Sequence, residues 1–171
     1  MDVTQKAREV VASAVGAAAK VLPGSRPGAQ PARQTLTVGR PAADVLAAWR
    51  DPQVVSRLLG DLGRAEAGAP GRWTFSLTAG GASVEAELTD GPDVVEFHRP
   101  GEQGPDGALL RVGTRPAPRE LGTEVTCEVA SELSAGVGAV PFTLLYRLRA
   151  LLLTGEIPTL GPQPAAREEE R

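Results

Sequence analysis

The sequence predicts an α+β fold in which a curved antiparallel sheet wraps around one long C-terminal helix, with two short helices after the first strand. Three observations carry this expectation. Beyond Gly63 apolar and polar residues alternate with a period of two, as they do in half-buried strands. The last alternating run, residues 125–133, passes through a Gly-rich turn into the apolar stretch 142–153, which reads as a helix closing the chain. Between the first strand and the alternating region lie two runs with the three-four spacing of a helical face.

Taken in order, residues 1–22 read as an amphipathic helix, with Val3, Ala7, Val10, Val11, Ala14, Val15 and Ala18 on one side. Pro23-Gly24 stops it, and residues 23–32, rich in turn formers and without periodicity, read as a flexible linker. The folded domain is expected over residues 33–160 and a disordered tail over 161–171, where Pro, Gln and Glu predominate. Within the domain, Leu36 and Val38 mark a first strand. A helix follows from Pro41, where a missing N–H costs little, through Val45, Leu46 and Trp49. Asp51-Pro52 breaks it and starts a second helix carrying Val54, Val55, Leu58, Leu59 and Leu62. Trp73, Phe75 and Leu77 then alternate with Thr74, Ser76 and Thr78, and Val84, Ala86 and Leu88 with Glu85, Glu87 and Thr89. Val95 and Phe97 flank Glu96, and Leu110, Val112 and Thr114 alternate with Arg111 and Arg115. Gly80-Gly81, Asp90-Gly91-Pro92 and the stretch 99–107 separate these strands as turns or loops. Parity sends Glu85, Glu87, Glu96, Glu124, Glu128 and Glu132 to the wet face and leaves the opposite face for the C-terminal helix to cover.

Composition excludes several classes. A net charge of -3 and a pI near 5.3 leave no basic surplus for phosphates, so nucleic acid is not expected as a partner. One Cys and one His make neither an internal disulfide nor a metal cluster, so no metal and no cofactor is expected, and a reducing cytoplasmic setting fits. The longest uncharged N-terminal run, residues 10–19, is half of the roughly 20 residues a bilayer requires. Its face of Ala and Val binds lipid weakly, so contact of the N-terminal helix with a membrane surface ranks below packing against the domain or a protein partner. There is no Walker loop and no Gly-x-Ser-x-Gly elbow.

The segments 38–45 leading to Trp49-Arg50-Asp51, then Gly71-Arg72-Trp73, Pro116-Ala117-Pro118 with residues 122–126, and the ending Thr154-Gly155-Glu156-Ile157-Pro158-Thr159 stand in an order and spacing that resembles the helix-grip, START-like (SRPBCC) superfamily. The resemblance is to its polyketide cyclase/dehydrase and lipid-transport branch, which includes coenzyme Q-binding relatives, and it covers residues 33–163. It implies the fold first, and then an apolar cavity between sheet and helix holding a lipid, quinone or polyketide. It carries over no catalytic residue, because no catalytic motif of the branch matches here.

For that cavity the inward-facing candidates are Trp49, Leu59, Trp73, Phe75, Phe97 and Leu110. Val112, Thr114, Phe142, Leu145 and Tyr146 complete the set. Ordinary core packing is the competing reading for each, since aromatic rings bury large areas in any case. Thr114, Ser131 and Tyr146 are the polar groups expected to reach the chamber, and Tyr146 and Thr114 would act if the protein were a cyclase or dehydratase. His98, the only histidine, falls by parity on the wet face and reads as a surface residue. Cys127 falls on the dry face as a small hydrophobe. The loop 99–107 is a candidate cover for an entrance. Binding or carriage of a small hydrophobic molecule, without catalysis, is the leading expectation. A polyketide cyclase or dehydratase, and an interaction module docking through the N-terminal helix, are the alternatives.

Overall fold

The computed structural model describes residues 31–102, 104, 107–134 and 139–158. The expected N-terminal helix, nearly all of the linker and the tail lie outside the described residues. Strand β1 (Ala32–Val38) is followed by helices α1 (Ala42–Arg50) and α2 (Pro52–Leu59). Strands β2 (Gly63–Ala67), β3 (Arg72–Leu77), β4 (Ser83–Asp90), β5 (Val94–His98), β6 (Ala108–Pro116) and β7 (Thr123–Val129) come next. A single helical turn, α3 (Ser131–Ser134), precedes the long helix α4 (Val140–Thr154).

The seven strands form one antiparallel sheet in the order β1-β7-β6-β5-β4-β3-β2. Consecutive strands from β2 to β7 are neighbours, and β1 closes the far side by pairing with β7, Ala32 opposite Val129 and Val38 opposite Thr123. Helix α4 lies on the concave face against β1 and β7, and α1 and α2 pack beside it. This is the helix-grip architecture. Leu144, Leu145 and Leu148 are buried beneath α4. At ~1.5–3 kcal/mol for each fully buried aliphatic side chain, they dominate its attachment.

Local chemistry explains the joints. Asp51 caps α2, its carboxylate accepting from the N–H groups of Gln53 and Val54 at 2.8 and 3.3 Å, with Pro52 in the first helical position. At the other end of α2 a side chain from α4 takes over. Arg147 donates to the carbonyls of Leu58 and Leu59 and to the Asp61 carboxylate, satisfying groups that a helix end leaves open. The β6–β7 connection tucks beneath the end of β1, where a β-carbon on Gly122 (φ 106°) would collide with the carbonyl oxygen of Val38.

Two elements differ from the sequence reading. Strand β2 was not foreseen, because Ala65 is its only buried side chain and no large apolar residue marks the alternation. It is held by Ser56 of α2, whose hydroxyl donates to the Ala65 carbonyl at 2.7 Å and accepts from the Ala65 N–H at 2.9 Å. Strand β7 ends at Val129 rather than at residue 133. Ser131, Glu132 and Leu133 form the α3 turn, with the N–H groups of Leu133 and Ser134 bonding back to the Ala130 carbonyl.

Candidate functional site

The concave face and the underside of α4 enclose the apolar interior. Trp73, Phe75 and Phe97 form one aromatic group on β3 and β5, with Phe97 edge-on to both others at centroid distances of 5.0 and 5.2 Å. Leu59, Leu110, Val112 and Leu145 are buried in the same core. Trp49, from the last turn of α1, is fully buried there too. Its indole Nε1 has no hydrogen-bond partner among the described residues. A buried N–H without an acceptor costs about 1–3 kcal/mol, and this one sits in an otherwise apolar interior.

Three of the expected cavity residues stand elsewhere. Phe142 and Tyr146 are 49% and 50% exposed and stack on each other on the outer side of α4, at a centroid distance of 6.1 Å. Leu145, an expected inward residue, shares the inward positions of the helix with Leu144 and Leu148, a phase that a mainly apolar helix does not reveal in its sequence. Thr114 lies at the end of β6, where its hydroxyl donates to the Asp93 carbonyl at 3.1 Å, a local bond rather than a contact in the interior. Ser131 likewise serves the α3 turn, its carbonyl accepting from the Ser134 hydroxyl at 3.0 Å.

His98 corrects the sequence reading most sharply, being 3% exposed rather than a surface residue. Parity does place it on the side of Glu96, whose Oε2 accepts from Nε2–H at 3.2 Å. The register between β5 and β6 shifts at Phe97/His98, so that His98 faces Ala108 while Phe97 faces Leu110, and Leu109 becomes buried. Its other ring nitrogen, Nδ1, has no partner among the described residues. Glu96 also accepts from Arg111 Nε at 2.7 Å, and Arg111 and Arg33 both approach Glu128, at 3.9 and 3.3 Å. These pairs line the convex face and are open enough to solvent that each contributes little. Cys127 is fully buried between Val125 and Val129, and burial pushes its thiol well above the ordinary range, with Glu128 adding to the shift. A thiol held protonated in this way is poorly reactive.

Clefts occur at the surface. One of about 570 Å³ lies where the β1–α1 junction meets the β6–β7 hairpin, lined by Arg40, Pro41, Thr114, Arg115, Leu121 and Thr123 among others. Arg40 Nε bonds the Leu152 carbonyl at 2.9 Å and Thr123 Oγ1 bonds the Arg40 carbonyl at 2.7 Å, so this cleft sits beside the C-terminal end of α4. Arg119 and Glu120 at its rim both hold φ of 57°, a left-handed conformation that costs a side-chain-bearing residue roughly 1–2 kcal/mol. The cleft is at the opposite end of β6 from the loop 99–107, which the sequence had suggested as the cover of an entrance. A second cleft lies between α2 and β3, and a third on the convex face around Arg111 and Thr126. None of the three is lined by the buried aromatic group. No group of His, Cys, Asp and Glu residues among the described ones is arranged to hold a metal. No helix among them is long and apolar enough to cross a membrane.

No known family profile matches the chain, and no curated protein matches it. Solved structures do. A Deinococcus radiodurans protein, DR_A0006, is similar over 75% of this chain and 100% of its own, with 25% identity and a TM-score of 0.54. The Mesorhizobium loti protein MLL2253 is similar over 72% of this chain and 96% of its own, with 17% identity and a TM-score of 0.50. An AHSA1-like protein from Aeromonas hydrophila is similar over 73% and 94%, with 18% identity and a TM-score of 0.48. The first two agree with the fold described above.

Proposed function

We propose that this protein binds a small, mainly apolar molecule carrying one hydrogen-bond acceptor, such as a carbonyl or quinone oxygen, between the concave sheet face and α4. The observation that carries this reading is the indole Nε1–H of Trp49, a donor without an acceptor among the described residues, inside an apolar core. A ligand oxygen there would remove the cost of the unpaired donor while the remainder of the molecule joined the apolar interior. The resemblance of the sequence to the START-like superfamily supports the same reading. The aromatic group is in mutual contact, so a ligand enters only as α4 or the rings give way, with the cleft beside Arg40 and Leu121 as the nearest opening to the end of that helix. Catalysis is not part of the proposal. Tyr146 and Thr114, the two groups that a cyclase or dehydratase reading would use, lie on the outside of α4 and at the end of β6.

The test is native mass spectrometry of protein purified gently from its host, with anything released then added to the ¹⁵N-labelled protein. The two tryptophans give two indole signals, assigned through Trp49→Phe. A stoichiometric apolar species that shifts the Trp49 signal is the expected result. Bare protein whose Trp49 indole signal is moved by none of the host's apolar extracts would overturn the proposal.

A further inference from the structure

The outer side of α4 carries a stripe that the domain does not use. Phe142, Tyr146, Arg149 and Leu153 follow one another at intervals of four, three and four residues and therefore share one helical face. Phe142 and Tyr146 stack in near-parallel planes 18° apart, and Leu153 is 44% exposed. Leu144, Leu145 and Leu148 point the opposite way into the core, so the stripe is a mainly apolar face, interrupted by the exposed Arg149, over and above the one that attaches the helix. At 1.5 Å per residue it runs for about 16 Å.

The place where the chain joins the domain says what covers it. Strand β1 packs against α4, and the two are of nearly equal length, about 23 and 22 Å by their residue rises. Their C-terminal ends coincide, since Arg40 bonds the Leu152 carbonyl at 2.9 Å and a β-carbon at Gly39 would lie 3.7 Å from Leu153. At the other end, the start of β1 pairs with the end of β7, Ala32 opposite Val129, and α4 begins eleven residues further along the chain, at Val140, two residues before Phe142. The chain arriving at Ala32 comes from residues 1–30. Of these, 3–22 carry Val3, Ala7, Val10, Ala14 and Ala18 at helical spacing, on a face without charge. A helix of that length spans about 30 Å, and residues 23–30 reach up to ~26 Å when extended. Leaving its C-terminal end near Phe142, such a helix points back along α4 and covers the whole stripe. Its face of small side chains lets the two rings lie close against its backbone.

We propose that residues 3–22 fold back as a helix across the outer face of α4, antiparallel to it, with Phe142, Tyr146 and Leu153 as the docking surface. The segment then holds α4 on the sheet from outside, independently of whether a ligand binds within.

The experiment uses the full chain with a nitroxide on Ser13→Cys, a position beside the small-residue face; Cys127 is buried and does not take the label. Relaxation broadening of the amide signals around Phe142, Tyr146 and Leu153 is expected in dilute protein, without vesicles. It should persist when the labelled chain is diluted with unlabelled chain. Phe142→Ala with Tyr146→Ala, both at exposed positions, should abolish that broadening and the hydrogen-exchange protection of residues 3–22, while protection in the sheet stays unchanged. Broadening that is absent, falls elsewhere on the domain, arises only between molecules, or needs anionic vesicles would overturn the proposal. So would a segment that stays docked in the double variant.

Discussion

At the scale of single residues, identity and parity are separate kinds of information, and His98 and Cys127 show it. Parity placed both on the faces where they lie. Burial of Cys127 followed, because its neighbours Val125 and Val129 and its face toward α4 leave no solvent. Burial of His98 did not follow, because it accompanies a β5–β6 register shift that is set by pairing with another strand. A thiol held protonated within the fold has two consequences. Alkylation of the native protein by iodoacetamide should be slow and should accelerate on unfolding, as a thiol-modification time course with and without urea will show. An unfolded thiol ionises near pH ~8.5 while the folded one does not, so above that pH the unfolded chain binds fewer protons and stability falls. In Cys127→Ala that alkaline decline in the urea midpoint should be smaller. Native alkylation as fast as that of the unfolded chain would contradict the buried, protonated thiol.

At the scale of elements, the short helices were legible because their signals are local: Asp51-Pro52 both ends α1 and caps α2. What anchors them is not local. Arg147 reaches from α4 to the last carbonyls of α2, 88 or more residues away in sequence, and no motif announces such a partner. Replacing it by alanine removes charged hydrogen bonds from half-buried carbonyls. A loss of about 2 kcal/mol is expected in chemical denaturation, with Arg147→Lys recovering little because it lacks the planar fork. Arg147 also holds the Asp61 carboxyl below the usual carboxylate value. That contribution is present above the ordinary carboxylate pKa and fades as pH falls through the lowered one, so the deficit of Arg147→Ala should shrink toward acid pH. An equal deficit at neutral and low pH would assign the effect to the carbonyl hydrogen bonds and packing rather than to Asp61. Strand β2 shows the opposite case, an element nearly invisible in sequence because Ser56 and its neighbour β3 stabilise it rather than its own side chains.

At the scale of the whole molecule, one helix on one curved sheet concentrates the stabilising contacts in few places. Leu148 is fully buried under α4. Leu148→Ala should cost about 2–5 kcal/mol through lost transfer energy and the void left behind, measured as a shift of the denaturant midpoint with an unchanged slope. A cost below about 1 kcal/mol would mean that α4 is not seated on the sheet as described. Seating of α4 also matters for the two proposals, since a ligand between sheet and helix works against it and a helix across its outer face works with it.

The sequence by itself determined the fold class, the order of all but one strand, the two helices after β1 and the inward set Trp49, Trp73, Phe75, Phe97, Leu110 and Val112. These rest on period and parity, which are properties of neighbouring residues along the chain. Tertiary structure decided the rotation of α4, which turned Phe142 and Tyr146 outward although large apolar residues lie all around the helix. It decided the register shift beside the buried His98, and it left the Trp49 indole without a partner among the described residues. In each case the deciding contact joins residues far apart in the chain, and such contacts exist only once the sheet has closed around the helix.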